Sequence, residues 1–299
     1  MKIISGYAKS FDGTDIWYKS SGEGLPLIFC NGLGVSIFFW KYIELRFREF
    51  CRVVLWDYRG HCRSGMPNSE DYTMSANAKD LLAVMDKLNI KKAVMGGHSM
   101  GVQVIFEFYR LFPDRVLGLI PILGPYEHPA NTFLNLPEKL INPLFYRTYN
   151  LVMKRPRFAK SVWNRIMRIS FAFNLAKVVG RISPKLYFIN PDFATEEDFR
   201  PYFEHLRFLD ITVFFKMAKC MQEHSAADIL EKIKVPTLII AGEYDIFTPA
   251  WVSQKMKELI PNSEILVIKK GSHGALVEQP ELMNLRIEKF IKTHFSVSE

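Results

Sequence analysis

The feature that most constrains this chain is a rhythm of short apolar runs separated by amphipathic stretches, broken once between residues 126 and 225. An extended opening runs to Ser10, turns at Asp12-Gly13-Thr14 and continues through Ile16-Trp17-Tyr18, the pattern of a β-hairpin. Apolar runs follow at 25–30, 52–56, 93–96 and 116–123, with helices predicted at 74–88 and directly after Ser99. Thr73 is placed to cap the first of these helices. The rhythm resumes at Val235-Pro236-Thr237-Leu238-Ile239-Ile240, then a helix from Ala250, a strand at 264–268 and a last helix through Phe290. Strands alternating with helices predict an α/β domain with a mostly parallel sheet. That domain would comprise residues 1–125 and 226–299, with 126–225 inserted as a mainly helical cap, or lid.

Composition narrows the class. Of 299 residues 48% are apolar and 23% charged, with 17 Gly and 16 Pro, which excludes collagen-like and disordered chains. Cys30, Cys51, Cys62 and Cys220 form no CxxC pair and have no zinc-like spacing with His, so reduced thiols and a cytoplasmic protein are expected. No run reaches the roughly 18 uncharged apolar residues of a membrane span, and the first six residues lack the apolar core of a secretory signal.

The net charge of +8 is unevenly spread: between Lys139 and Lys185 there are eleven Lys or Arg and no Asp or Glu. From Arg157 to Phe173 the spacing predicts one amphipathic helix. Arg157, Lys160, Asn164, Arg165 and Arg168 fall on one side, and Phe158, Val162, Trp163, Ile166, Met167, Ile169 and Phe173 on the other, with Phe171 breaking the pattern. Two readings stand: a packed helix whose basic face is solvated, or peripheral contact of the 139–185 segment with an anionic membrane. No recognition motif accompanies the basic run, so nucleic acid is not an expected partner.

Chemistry concentrates at Gly97-His98-Ser99-Met100-Gly101, a G-x-S-x-G sequence set between an apolar strand and a helix. Small residues beside the serine permit the strained turn that exposes its hydroxyl. A serine is a weak nucleophile and needs a base, which in turn needs an orienting carboxylate. Asp245 follows the apolar run 238–241, and His273 follows the strand ending at Ile268 within Gly271-Ser272-His273-Gly274. Ligand sites of parallel sheets gather at the C-terminal strand ends, so both are placed to converge on Ser99. Glu243, nearer its strand, is the second candidate acid. His98 reads as a packed neighbour of the nucleophile rather than a second base. No P-loop, metal-ligand cluster or dinucleotide fingerprint occurs, and Gly32-Leu33-Gly34 lacks the third glycine, so no cofactor or metal is expected.

Through these residues the chain resembles the α/β-hydrolase superfamily over nearly its whole length. The matching stretches are Asn31-Gly32-Leu33-Gly34, Asp57-Tyr58-Arg59-Gly60-His61-Cys62-Arg63-Ser64, 97–101, 242–249 and 271–280. It looks most like lid-bearing esterases, monoacylglycerol lipases and lactonases. The resemblance implies Ser99 as nucleophile, His273 as base, Asp245 as acid, and the backbone N–H groups of Leu33 and Met100 as oxyanion hole. Asn31 stands where family members usually carry His, and Cys62 and Val102 where Gly is common; a tuned loop is expected around Asn31, and Asp57, Arg59 and Ser64 are expected to hold theirs. Haloalkane dehalogenases and epoxide hydrolases of the superfamily use an Asp nucleophile, so Ser99 points away from those activities. The expected function is hydrolysis of a carboxylic ester with an apolar or lipid-like acyl group. The aromatics Phe133, Phe145, Tyr146, Phe158, Trp163, Phe171, Phe173, Tyr187, Phe188, Phe193, Phe199, Tyr202, Phe203, Phe208, Phe214 and Phe215 are expected to form the lid over an apolar pocket, with core packing as the plainer role for most of them. The same triad would serve a lactonase, a thioesterase, an amidase of small substrates or a carbon–carbon bond hydrolase. A hydrolase-fold receptor with little turnover is the reading from another class, and the intact Ser-His-Asp set argues against it.

Overall fold

The computed structural model describes residues 2–167, 169–182 and 189–296. Arg168, Lys185, Tyr187 and Phe188 lie outside the described residues, as do the side chains of Ile169 and Phe171. Eight strands form one sheet: β1 (Ile3–Lys9), β2 (Asp15–Ser21), β3 (Leu25–Cys30), β4 (Cys51–Trp56), β5 (Ala93–His98), β6 (Val116–Ile122), β7 (Thr237–Gly242) and β8 (Ser263–Ile268). Their order is β1-β2-β4-β3-β5-β6-β7-β8. β1 and β2 are the antiparallel hairpin, β2 joins β4 antiparallel, and every other pairing is parallel.

Strand periodicity explains the two cores. Alternate residues of one strand face opposite sides of a sheet. Ile28, Val54, Trp56, Met95 and Ile239 point to one side, where α2 (Met74–Lys87), α3 (Met100–Leu111) and α9 (Ala250–Leu259) cover them. Their neighbours Leu27, Phe29, Val53, Leu55, Leu238 and Ile240 point to the other, beneath α1 (Lys41–Phe47) and α11 (Pro280–His294). β5 and β7 are buried along their whole lengths, which is why they read as continuous apolar runs. Thr73 caps α2 by accepting the Ala76 N–H.

Between β6 and β7 the chain forms α4 (Glu138–Lys154), α5 (Pro156–Ile166), α6 (Ile169–Ile182), α7 (Glu196–Phe208) and α8 (Ile211–Glu223). Pro156 separates α4 from α5, since the residue before a proline avoids helical backbone, and Arg155 sits at φ −136°, ψ 60°. The short α10 (Ala275–Glu278) follows the His273 loop. Among the described residues no helix is long and apolar enough to cross a membrane.

The single helix expected over 157–173 is two, α5 ending at Ile166 and α6 starting at Ile169. The sides of α5 are also placed differently from the expectation. Ala159 and Trp163 pack inward with Lys160, while Phe158, Val162 and Ile166 face solvent. The cause is polar. The last carbonyls of α7 lack helical partners; the Trp163 indole N–H donates to Leu206 O at 2.7 Å and the Lys160 ammonium donates to Leu209 O. A cation at a helix C-terminus also suits the helix dipole.

Candidate active site

Ser99 stands at the joint between β5 and α3 with φ 54° and ψ −118°. Such backbone costs a side-chain-bearing residue about 1–3 kcal/mol and persists only where the surroundings impose it. Here they do. A Cβ on Gly97 would lie 2.2 Å from Gly101 O, and one on Gly101 would lie 2.3 Å from Cys30 O, so the two motif glycines let β5, α3 and the end of β3 close on one another. Val102, where Gly is common, finds its room at Gly124, whose added Cβ would meet Val102 Cγ2 at 2.4 Å.

The ends of β7 and β8 deliver the partners. His273 Nε2 lies 2.9 Å from Ser99 Oγ, and His273 Nδ1 lies 2.8 Å from Asp245 Oδ2. Asp245 is buried and held by its own loop: Oδ1 accepts the N–H groups of Phe247 at 2.8 Å and Thr248 at 3.0 Å, and Oδ2 accepts the Thr248 hydroxyl at 2.7 Å. Glu243, the other candidate acid, faces away and accepts from Lys269 Nζ and the Lys270 N–H. Carboxylate, imidazole and hydroxyl thus form one hydrogen-bonded line, able to move a proton from Oγ to Nε2 and to stabilise the resulting imidazolium.

The turn carrying Leu33 is packed against this line. A Cβ on Gly32 would stand 3.2 Å from Ser99 Cβ, while Met100 follows Ser99 directly as the first residue of α3. First-turn N–H groups of a helix lack intrahelical partners and favour negative charge. Asn31 anchors the same turn: its amide donates to Trp56 O at 2.6 Å and accepts from the Trp40 indole at 2.8 Å, while the Tyr58 hydroxyl donates to its carbonyl at 2.7 Å. The neighbouring loop is fixed by buried Arg59, which grips both oxygens of Asp80 at 2.7 and 2.6 Å and reaches Asp12 at 3.0 Å. Asp57 accepts from Ser36 and from Arg63 at 2.8 Å, and the Ser64 hydroxyl donates to Asp57 O at 2.6 Å. Cys62 adopts φ 43° and meets His205 Nδ1 of α7 at 3.1 Å, a tie between this loop and the helices that follow β6.

Two further groups bear on His273. His98 is buried beside it, ring centroids 4.9 Å apart, and bonds its carbonyl; burial, aided by the nearby His273 charge, pushes the His98 pKa down to about 3. Glu278 was not singled out by sequence reasoning. Its Oε1 accepts the Asn190 N–H at 2.6 Å and the Ser272 hydroxyl at 2.8 Å, and Ser272 Oγ accepts the Gly274 N–H at 2.9 Å. Both neighbours of His273 in the chain are therefore secured through one buried carboxyl. Burial raises its pKa to about 7 against those hydrogen bonds, which lower it.

Aromatic rings border the site. Phe247 lies 4.8 Å from the His273 ring and Phe133 lies 5.3 Å from Phe247; Phe39 lies 5.2 Å from His98 and 6.3 Å from Phe199 of α7. Leu206 of α7 and Phe214 of α8 close on Gly34, and Phe199 of α7 on Gly274. Beneath them Ser99 is 9% exposed. Not every cap aromatic expected in a lid turns inward: Phe158, Phe193 and Phe208 are exposed.

The family described as the alpha/beta hydrolase fold matches residues 26–280, and the chain belongs to it. Among named relatives, it is 25% identical to the bifunctional epoxide hydrolase 2 of Mus musculus over 97% of this chain and 56% of that protein. The chain therefore spans about half the length of the epoxide hydrolases it first matches. It is 27% identical to a non-heme chloroperoxidase of Streptomyces lividans, over 96% of this chain and all of that one. Among solved structures, a thermophilic esterase from Thermogutta terrifontis superposes with a TM-score of 0.71 at 23% identity, covering 98% of this chain and 100% of the other.

Proposed function

We propose that this chain is a serine hydrolase that cleaves carboxylic esters with an apolar acyl group, using Ser99, His273 and Asp245. The observation that carries the reading is the continuous line from Asp245 Oδ2 through the His273 ring to Ser99 Oγ, at 2.8 and 2.9 Å. His273 Nε2 removes the Ser99 proton as Oγ attacks the acyl carbonyl. The N–H groups of Met100 and Leu33 hold the developing oxyanion, the term that contributes most to such reactions. His273 then passes its proton to the leaving alcohol, and a water deprotonated by the same ring releases the acid and restores Ser99. Asp245 keeps the ring oriented and stabilises its cation.

The acyl preference is read from the rings of Phe39, Phe133, Phe199 and Phe247 around the site, since ligand pockets are mostly apolar with few polar groups. Esters are preferred over epoxides because the nucleophile is Ser99, where the epoxide hydrolases of the superfamily use Asp. The test is hydrolysis of p-nitrophenyl esters from acetate to palmitate by wild type and Ser99→Ala. Turnover that peaks at one chain length and falls about 10⁴-fold or more in the variant is expected. Turnover that survives in Ser99→Ala overturns the assignment, and absence of turnover with every ester, in folded protein, favours another bond or a receptor.

A further inference from the structure

The cap has two tiers. α7 and α8 pack onto the core and the Gly34 turn, while α4, α5 and α6 lie against α7 and α8. In this outer tier α5 and α6 each turn a row of apolar side chains to solvent. Phe158 (59% exposed), Val162 and Ile166 recur every fourth residue along α5; Leu175, Val178 and Ile182 (75% exposed) recur at three and four along α6. Residues so spaced share one helix face. A single exposed leucine needs no explanation, but an apolar row repeated along the exposed face of each of two helices does.

Along these helices themselves the charge is of one sign. Arg155, Arg157, Arg165 and Arg181 are exposed beside them, and no Asp or Glu occurs between Lys139 and Lys185. Protein surfaces ordinarily intersperse both signs. Exposed apolar strips flanked on their own helices by arginines, with no acid in the same run, match the chemistry of a helix lying in an anionic headgroup layer. A second copy meeting this surface face to face would instead bring the same positive charge against itself.

We infer that the outer tier of the cap is a docking surface for an anionic lipid bilayer. The apolar strips enter the boundary between headgroups and acyl chains, and the arginines pair with lipid phosphates. The inference does not depend on the role of Ser99, and its test reads no turnover.

The test is co-sedimentation of the full chain with vesicles of phosphatidylcholine, with and without phosphatidylglycerol. Binding is expected at low salt where phosphatidylglycerol is present, and its loss at about 1 M salt, where the screening length falls to about 3 Å. Each basic residue near an anionic surface is worth about a fivefold change in affinity, so R157Q with R165Q should weaken binding about thirtyfold. F158Q with V162Q should weaken it about tenfold or more. Because all four positions are exposed, both double variants should melt with the wild type, which separates lost docking from lost folding. Three results overturn the proposal: no binding to anionic vesicles at low salt, equal binding by both variants, or a wild-type dimer that F158Q with V162Q dissociates while vesicles bind nothing.

Discussion

His98 donates its Nε2–H to the backbone carbonyl of His273 across 3.0 Å. A carbonyl can only accept, so the proton is on Nε2; Nδ1 has no hydrogen-bond partner among the described residues and faces the Gly32 turn. With its pKa pushed down to about 3, His98 stays neutral wherever His273 could work as a base. It is a positioning residue, holding the backbone of His273 while Asp245 holds the ring. Replacing it by Phe strands a buried carbonyl at a cost of about 1–3 kcal/mol, so kcat should drop about tenfold to a hundredfold with KM little changed. Steady-state kinetics on a p-nitrophenyl ester decides this; a rise in KM with unchanged kcat would contradict it.

Asp245→Asn should be far more damaging. The amide no longer fixes the His273 tautomer that leaves Nε2 free to accept the serine proton, and kcat should fall about 10⁴-fold. Glu243→Gln, on the outer side of the same loop, should stay close to wild type. Assaying the two side by side separates them, and the reverse ranking would mean that the acid has been misassigned.

Glu278 gives stability a pH dependence with a definite sign. Its carboxyl has a pKa of 4.5 in the ordinary case and about 7 when buried in the fold. Between those values the unfolded chain releases a proton that the folded protein keeps. Stability from this group is therefore full below pH 4.5 and declines by about 3 kcal/mol as pH rises to 7. Glu278→Gln retains an oxygen to accept from Asn190 and Ser272 but does not titrate. Denaturation curves at several pH values should show the variant gaining on wild type from pH 4.5 to 7 and running parallel above it. A difference that does not change with pH would contradict a neutral, buried Glu278.

How much of this was legible in the sequence follows from the range of the interactions. The β1–β2 hairpin, the Thr73 cap and the loops bearing Asp245 and His273 are set within a few residues by turn chemistry and strand periodicity, and they could be read directly. Glu278 could not: its partner Asn190 is 88 residues away, and no local pattern marks a carboxyl that ties the cap to the His273 loop. The orientation of α5 was misleading for a related reason. Periodicity put Phe158, Val162, Trp163 and Ile166 on one side, which a packed helix would bury together, but Trp163 turns inward with Lys160 toward the orphan carbonyls at the end of α7 and the other three stay exposed. An amphipathic pattern says that a helix has two faces; what the neighbouring elements offer decides which one is buried.

The Arg59–Asp80 pair tests the scaffold apart from the chemistry. Both side chains are fully buried, and Arg59 also meets Asp12. Removing one partner leaves a buried charge uncompensated, so Arg59→Ala should lose about 3–5 kcal/mol of unfolding free energy. Urea denaturation measures it, and a loss below about 1 kcal/mol, typical of exposed pairs, would show that the network is not stabilising the loop.

The central claim is that Ser99 is a nucleophile activated by His273, and covalent labelling addresses it before any substrate is known. A fluorophosphonate phosphonylates an activated serine with loss of fluoride. Mass spectrometry of the labelled, digested wild type should find one adduct, on Ser99, with labelling absent in Ser99→Ala and much slower in Asp245→Asn. An unlabelled but folded wild type, or an adduct on another residue, would contradict the account.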